Sequence, residues 1–228
     1  MDKVALHIIA RISTPFGEKF GVPRQSGLVD TAAKIVFEPP FRSVEAVRGL
    51  EGFSHLWLLW QFDRNGEKWS PTVRPPRLGG NRRLGVFATR SPFRPNPIGL
   101  SCVELEKVDF DAPDGPVLHV RGADLVDGTP IFDIKPYVPY ADAHPEAAGG
   151  FTTALDDAPL AVEFPEIWRK SFTAEQQEAI TGILERDPRP HYHDDPERIY
   201  GMTFAGRDVH FFVREQTAVV CGIEIAGG

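Results

Sequence analysis

The sequence predicts a mostly β chain, a small closed sheet over roughly the first 140 residues with a compact α+β unit behind it. Three observations predict it. The first half is built of short apolar runs that alternate or are aromatic-rich, about seven of them, with little helical periodicity. Glycine and proline, 21 of each in 228 residues, punctuate those runs. Residues 140–159 then turn rich in Ala, Asp, Pro and Gly, which is linker composition, before helical periodicity returns.

The elements follow in order. Leu6, Ile8, Ala10 and Ile12 alternate with His7, Ile9 and Arg11 and predict a first strand. This N-terminal run lacks a small-residue cleavage site, so it reads as a strand and not a signal peptide. Residues 34–37 are a short second strand. Ser43 is placed to cap a short helix over residues 44–48 that Gly49 ends. Residues 52–62, with Phe53, Trp57, Trp60 and Phe62, are long enough for a helix, but their aromatic content favours a buried strand. Strands are predicted over residues 84–89, 100–108, 117–120 and 131–137. Beyond the linker, Thr173 with Gln176 forms a capping box for a helix through Glu185, with Ile180, Ile183 and Leu184 inward. Asp187-Pro188-Arg189-Pro190 stops that helix. Residues 199–204 and 207–213 flank Ala205-Gly206, a two-residue hairpin signal, and residues 217–225 close the unit. The implied domains are 1–142 and 155–228.

Composition narrows the classes. Hydrophobic residues are 42% and charged ones 25%, as in soluble globular chains. No run approaches the roughly 18 apolar residues of a membrane helix. Two cysteines, Cys102 and Cys221, far apart and outside metal spacing, fit a reducing cytoplasm and argue against a disulfide framework or a zinc site. A net charge of −7 argues against nucleic acid, yet Arg74, Arg77, Arg82, Arg83, Arg90 and Arg94 run without an intervening acid. Charge alone leaves that stretch open, as a solvated loop or a phosphate footprint. There is no GxGxxG dinucleotide signature, phosphate loop or Gly-x-Ser-x-Gly elbow around Ser91 or Ser101. His191, His193, Asp194 and Asp195 lie close in sequence, but in a proline-bounded exposed loop they read as solvated rather than as metal ligands.

Three stretches hold polar side chains on stiff frames. The central one, GVFATRSPFRPNPIGLS at residues 85–101, carries Arg90, Arg94 and Asn96 between Pro92, Pro95 and Pro97. A strand connection needs far fewer residues, and rigid polar loops commonly carry function. The second is KFGVPRQ at 19–25. The third is LVDGTPIFDIKPY at 125–137, where Asp127-Gly128 is a turn signal. Strand alternation there puts Asp133 and Lys135 on one face; such a pair is also what an ordinary surface strand displays.

These segments, with GLEGFSHLWLLW at 49–60, RPPRLGGN at 74–81 and the late DPRP, resemble the TsaA-like family across nearly the whole chain. The resemblance implies a single-sheet β-barrel, here of about seven strands, with a small α+β C-terminal domain. It implies an S-adenosylmethionine-dependent methyltransferase acting, as a homodimer in the cytoplasm, on the N(6) amine of threonylcarbamoyladenosine beside the anticodon of tRNA. Its cofactor contacts map onto Pro23, Arg24 and Gln25, then Asp63 and Arg64, then Arg90 and Leu100, and the turn Asp127, Gly128, Thr129 and Pro130. No metal is implied.

Methyl transfer asks that the amine be held in line with the methyl carbon and that its proton find an acceptor. Asp133 is the candidate acceptor, with Tyr137 beside it and Lys135 available for the substrate's carboxylate; Asp127 competes for the acceptor role. The anticodon loop is single-stranded, so its base can be splayed out, and the basic stretch would meet phosphates. Other functional classes fit parts of the pattern. One is a module that binds a nucleoside or S-adenosylmethionine without turnover. Another is an acid/base hydrolase built on Asp133 and a histidine such as His55.

Overall fold

A computed structural model of the chain describes residues 2, 4–66, 68–75, 78, 82–154, 158–189 and 195–227. Arg77 of the basic stretch and the His191, His193 and Asp194 loop lie outside the described residues.

The first half supplies β1 (Ala10–Ser13), β2 (Ala32–Phe37), α1 (Val44–Val47), β3 (His55–Gln61), β4 (Thr72–Val73), β5 (Leu84–Gly85), β6 (Ile98–Asp109), β7 (Val117–Arg121) and β8 (Pro130–Pro136). Six of these close an antiparallel barrel in the order β1-β2-β7-β6-β3-β8, with β8 returning to β1. Alternation fills it: Leu56, Leu58 and Trp60 of β3 point inward with Ile35 of β2, Val103 of β6 and Leu118 of β7.

The barrel has six strands rather than about seven. The expected strand over 84–89 contributes only Leu84–Gly85, which pairs with Thr72–Val73 as a two-residue ribbon outside the barrel. Val86 is buried and opens a 3-10 turn that the Thr89 hydroxyl closes on the Val86 carbonyl at 2.9 Å, so the chain curls before it can extend. The first strand also begins later than alternation predicts. Its partner β2 ends at Phe37, and Pro39 and Pro40 then form a turn with no donors to offer. Ser43 precedes α1 without a side-chain capping bond. Gly49 adopts φ +89°, the left-handed geometry that ends such a turn.

The second half supplies α2 (Pro139–Asp142), β9 (Ala161–Glu163), α3 (Glu166–Arg169), α4 (Ala174–Glu185), β10 (Tyr200–Phe204), β11 (Arg207–Arg214) and β12 (Thr217–Ile225). The sheet order is β10-β11-β12-β9, with β9 parallel to β12. Both halves of the capping box form on α4: the Gln176 amide donates to Thr173 Oγ1 at 3.3 Å and the Thr173 amide to Gln176 Oε1 at 3.0 Å. Ala205 and Gly206 both take positive φ, the paired left-handed geometry of a tight hairpin.

The cores are two, but they do not divide where the linker does. The core of the C-terminal sheet includes Phe16 and Val29 from the loop between β1 and β2, with Phe20 and Val22 packed on it. Phe16 bridges Phe204, and the Phe20 ring stacks on Tyr200 and Phe211. The first rigid loop is therefore clamped from behind by the C-terminal sheet.

Candidate functional site

That clamped loop presents Pro23, Arg24 and Gln25 toward one end of the barrel, where they line a cavity of about 660 Å³. Its position has a local cause. β7 stops at Arg121, opposite Glu104, so the earlier residues of β6 have no neighbour on that side. The loop takes β7's place, and the Cys102 amide donates to Ser26 Oγ at 3.1 Å. Gly21, at φ +88°, passes so close to Met202 that an added Cβ would meet its sulfur at 3.0 Å.

The opposite wall is the turn after β3. Asp63 and Arg64 line the cavity, and Arg64 also braces it. Its guanidinium donates to the Gly17 carbonyl at 2.9 Å and to the Asp127 carbonyl at 2.8 Å, tying three loops together. The central loop forms the rim. Arg94 donates to the Thr89 carbonyl at 3.1 Å, and Arg90 donates to Gln25 Oε1, joining the first loop to the central one. Leu100 and Thr129 complete the predicted residues that reach the cavity. Asp127, Gly128 and Pro130 do not line it. Asp127 accepts the Thr14 amide at 2.9 Å and Gly128 turns at φ +78°, so they shape the corner that presents Thr129.

Asp133, Lys135 and Tyr137 are not brought into the cavity either. A bulge at Phe132 sets Leu59 opposite Asp133, while Leu59 also pairs with Leu100 on its other side. Asp133 thus stands on the outer face of the barrel, one strand beyond Leu100's neighbour. It pairs with Lys135 at 2.8 Å and accepts the Ile134 amide at 3.0 Å. Tyr137 packs against His55 and Trp57 on that same outer face. Trp57 donates to Asp142, as does the Val138 amide, and these bonds hold that carboxyl below the usual carboxylate range.

The sequence reading missed the group at the back of the cavity. Asp124 lines it, accepting the Ser101 hydroxyl at 2.5 Å, and Ser101 in turn accepts the Trp60 indole N–H at 2.9 Å. Burial pushes the Asp124 carboxyl up; the Ser101 bond, backbone amides including that of Ser26, and the nearby Arg90 oppose this. The available signal was an acid between Ala123 and Leu125, both buried. Among the described residues, five cationic side chains line the cavity, Lys19, Arg24, Arg64, Arg90 and Arg94, against two carboxylates, Asp63 and Asp124, so its local balance is opposite in sign to the chain's net charge of −7.

Asp187 and Arg189, just after α4, also act here. The Asp187 carbonyl accepts from Arg24 at 2.6 Å, and Arg189 grips the Asp187 carboxylate with two bonds of 2.8 and 2.9 Å. Burial lowers the Arg24 pKa, with Asp187 opposing it. Arg24→Ala is expected to lower stability by about 1.5–3 kcal/mol, the worth of a hydrogen bond from a charged donor, read as a fall in melting temperature. A variant that melts with the wild type would show that this tie between the halves carries no load.

A closed antiparallel barrel whose end cavity is roofed by loops from three parts of the chain is a small-molecule-binding barrel. Residues 11–143 match the tRNA-methyltransferase O N-terminal domain, and residues 157–226 match the TrmO C-terminal domain. The chain belongs to the tRNA-methyltransferase O family. It is 47% identical over 213 residues, 90% of this chain and 89% of the other, to the tRNA (adenine(37)-N6)-methyltransferase of Escherichia coli K12. It is 45% identical over 234 residues, 96% of each chain, to a Pseudomonas aeruginosa protein named putative S-adenosylmethionine-dependent methyltransferase RcsF. The crystal structure of TrmO from P. aeruginosa superposes with a TM-score of 0.80 at 37% identity, covering 99% of both chains.

Proposed function

We propose that the protein is an S-adenosylmethionine-dependent tRNA (adenine-37) N6-methyltransferase whose cofactor lies in the barrel-end cavity. The observation that carries this reading is the convergence there of Arg24 and Gln25, Asp63, Arg90, Leu100 and Thr129 from separate loops of a chain of this family. The residues fit such a cofactor. A cavity of about 660 Å³ is of the size that encloses nucleoside-like ligands. Its walls offer apolar surface at Val22, Phe62 and Leu100 and hydrogen-bonding groups at Gln25, Asp63 and Arg90. When bound, S-adenosylmethionine supplies a methyl group on a positively charged sulfur.

The substrate adenosine enters past Leu100, which lines the cavity and is exposed at its outer side, and brings its amine to the cofactor inside. Leu59 and the Asp133–Lys135 pair continue that face. Lys135 there is placed to meet the carboxylate of a threonylcarbamoyl group on the base. Arg82 and Arg83, both exposed, face the tRNA phosphates. We further propose a homodimer acting in the cytoplasm. Among the described residues no helix is long and apolar enough to cross a membrane.

The test incubates purified protein and isotopically labelled S-adenosylmethionine with tRNA that carries threonylcarbamoyladenosine or plain adenosine at position 37. Nucleoside mass spectrometry is expected to find label on the N6 of the modified base, and Lys135→Ala is expected to narrow the preference over plain adenosine. Cofactor binding without label in any tRNA would instead favour a non-catalytic binding module.

A further inference from the structure

Methylating an amine leaves a proton to be removed, and the groups first expected to take it, Asp133 and Asp127, both lie outside the cavity. Of the two carboxylates that line it, Asp63 and Asp124, the second has its partners already arranged. Trp60 of β3 is buried and donates to Ser101 of β6, itself 1% exposed. Because Ser101 accepts that indole N–H, its single hydroxyl proton is directed to Asp124 Oδ1, at 2.5 Å. Trp60 and Asp124 both line the cavity. A half-buried acid so held is a poor choice for stability, since burial disfavours its charge.

We propose that Asp124 is the proton acceptor for the amine being methylated, and that Trp60 and Ser101 are positioning residues that orient its carboxylate. This rests on the methyltransferase reading above. In the step, the amine nitrogen gains the methyl carbon from a sulfonium donor, and the carbon–sulfur electron pair stays with sulfur. The N–H electron pair stays on nitrogen, and its proton passes to Asp124. Arg90 faces Asp124 from the central loop; the other charged groups around the cavity are Lys19, Arg24, Asp63, Arg64 and Arg94.

The pH signs follow from burial. Asp124's folded pKa is raised above its unfolded value. Its ionised form therefore opposes folding; stability is lost as pH rises from the unfolded pKa through the folded one, and the cost is full above it. Asp124→Asn should then melt at or above the wild type at pH 8. The rate should rise with pH as Asp124 ionises. Ser101→Ala removes a donor to the ionised carboxylate, so it should move both the carboxyl titration and the acid limb of the rate profile to higher pH.

The experiment measures four quantities for wild type, Asp124→Asn and Ser101→Ala. They are S-adenosylmethionine affinity by calorimetry, melting temperature, the Asp124 carboxyl titration by NMR in cofactor-free protein, and single-turnover rate against pH. Asp124→Asn is expected to slow methylation by about 100- to 10,000-fold with cofactor affinity within about twofold. Ser101→Ala is expected to lower the high-pH rate by less than Asp124→Asn does, while both titrations shift together to higher pH. An active wild type with an equally active Asp124→Asn overturns the role. So does an Asp124→Asn that loses cofactor affinity but not saturated rate, which reassigns the carboxylate to ligand binding. A Ser101→Ala in which the NMR titration moves and the rate profile does not also overturns it. A wild type that binds cofactor and methylates no tRNA sinks the methyltransferase reading itself, and this role with it.

Discussion

Gly99→Val is expected to destabilise the barrel severely and to close its cavity. The reason is contact rather than backbone conformation. A Cβ built at Gly99 would stand 2.2 Å from Trp60 Cε2 and 2.4 Å from its Cζ2. Those atoms belong to a rigid ring in the protein interior, not to the end of a flexible chain. Trp60 is 8% exposed, packs edge-on against Phe62 at 4.3 Å between ring centroids, and donates to Ser101. Turning the ring away gives up that hydrogen bond, about 1 kcal/mol, and overpacking typically costs a further 1–3 kcal/mol or so. Each kcal/mol corresponds to about 2–4 °C in a chain of this size. Thermal melting of Gly99→Ala and Gly99→Val should show a graded fall, larger for valine, with cofactor binding lost in both. An alanine variant that melts and binds as the wild type does would mean that Trp60 has room to rotate.

Arg90→Leu is expected to weaken cofactor binding by about 10- to 100-fold, the scale of a lost charged hydrogen bond, while leaving the melting temperature nearly unchanged. Arg90 is exposed, so little packing goes with it. Its effect is organisational: it donates to Gln25 on the first loop and faces the Asp124 carboxyl at the back of the cavity. Leucine leaves Gln25 without that donor and Asp124 without that cation. Arg90→Lys keeps the charge but not the planar fork, and is expected to recover only part of the affinity. Calorimetry and melting read the two quantities separately. Unchanged affinity in the leucine variant would remove Arg90 from the site, and a large fall in melting temperature would make it a structural brace.

Both predictions turn on contacts between segments far apart in the chain, and there the sequence and the structure divide. Local periodicity made most of the barrel legible. In β3 the inward set Leu56, Leu58 and Trp60 and the outward set Trp57 and Leu59 are what alternation requires of a strand with one face in a core. The capping box at Thr173 and the Ala205-Gly206 hairpin were equally plain, because each is settled by residues within a few positions. The motifs located the rigid loops, and Pro23, Arg24, Gln25, Asp63, Arg64, Arg90, Leu100 and Thr129 meet at one cavity.

What the sequence missed was decided across the fold. The strand expected at 84–89 curls because burying Val86 and closing the turn through Thr89 prevail over extension. β9 is three residues long and parallel to β12, too short for its own period to show. The Phe132 bulge and the pairing of Leu59 put Asp133 on the outer face, a matter of register between strands that alternation within β8 cannot reveal. Asp124, Ser101 and Trp60 sit on three separate segments, and only closure of the barrel brings their polar atoms into one chain of hydrogen bonds. By itself the sequence determined the strands, the caps and the stiff polar loops, since those follow from neighbours along the chain. Only the tertiary structure decided that the C-terminal sheet, through Phe204 and Met202, and the turn after α4, through Asp187, hold the first of those loops against the barrel end, because burying Phe16 and Phe20 there is a contact between residues nearly the whole chain apart.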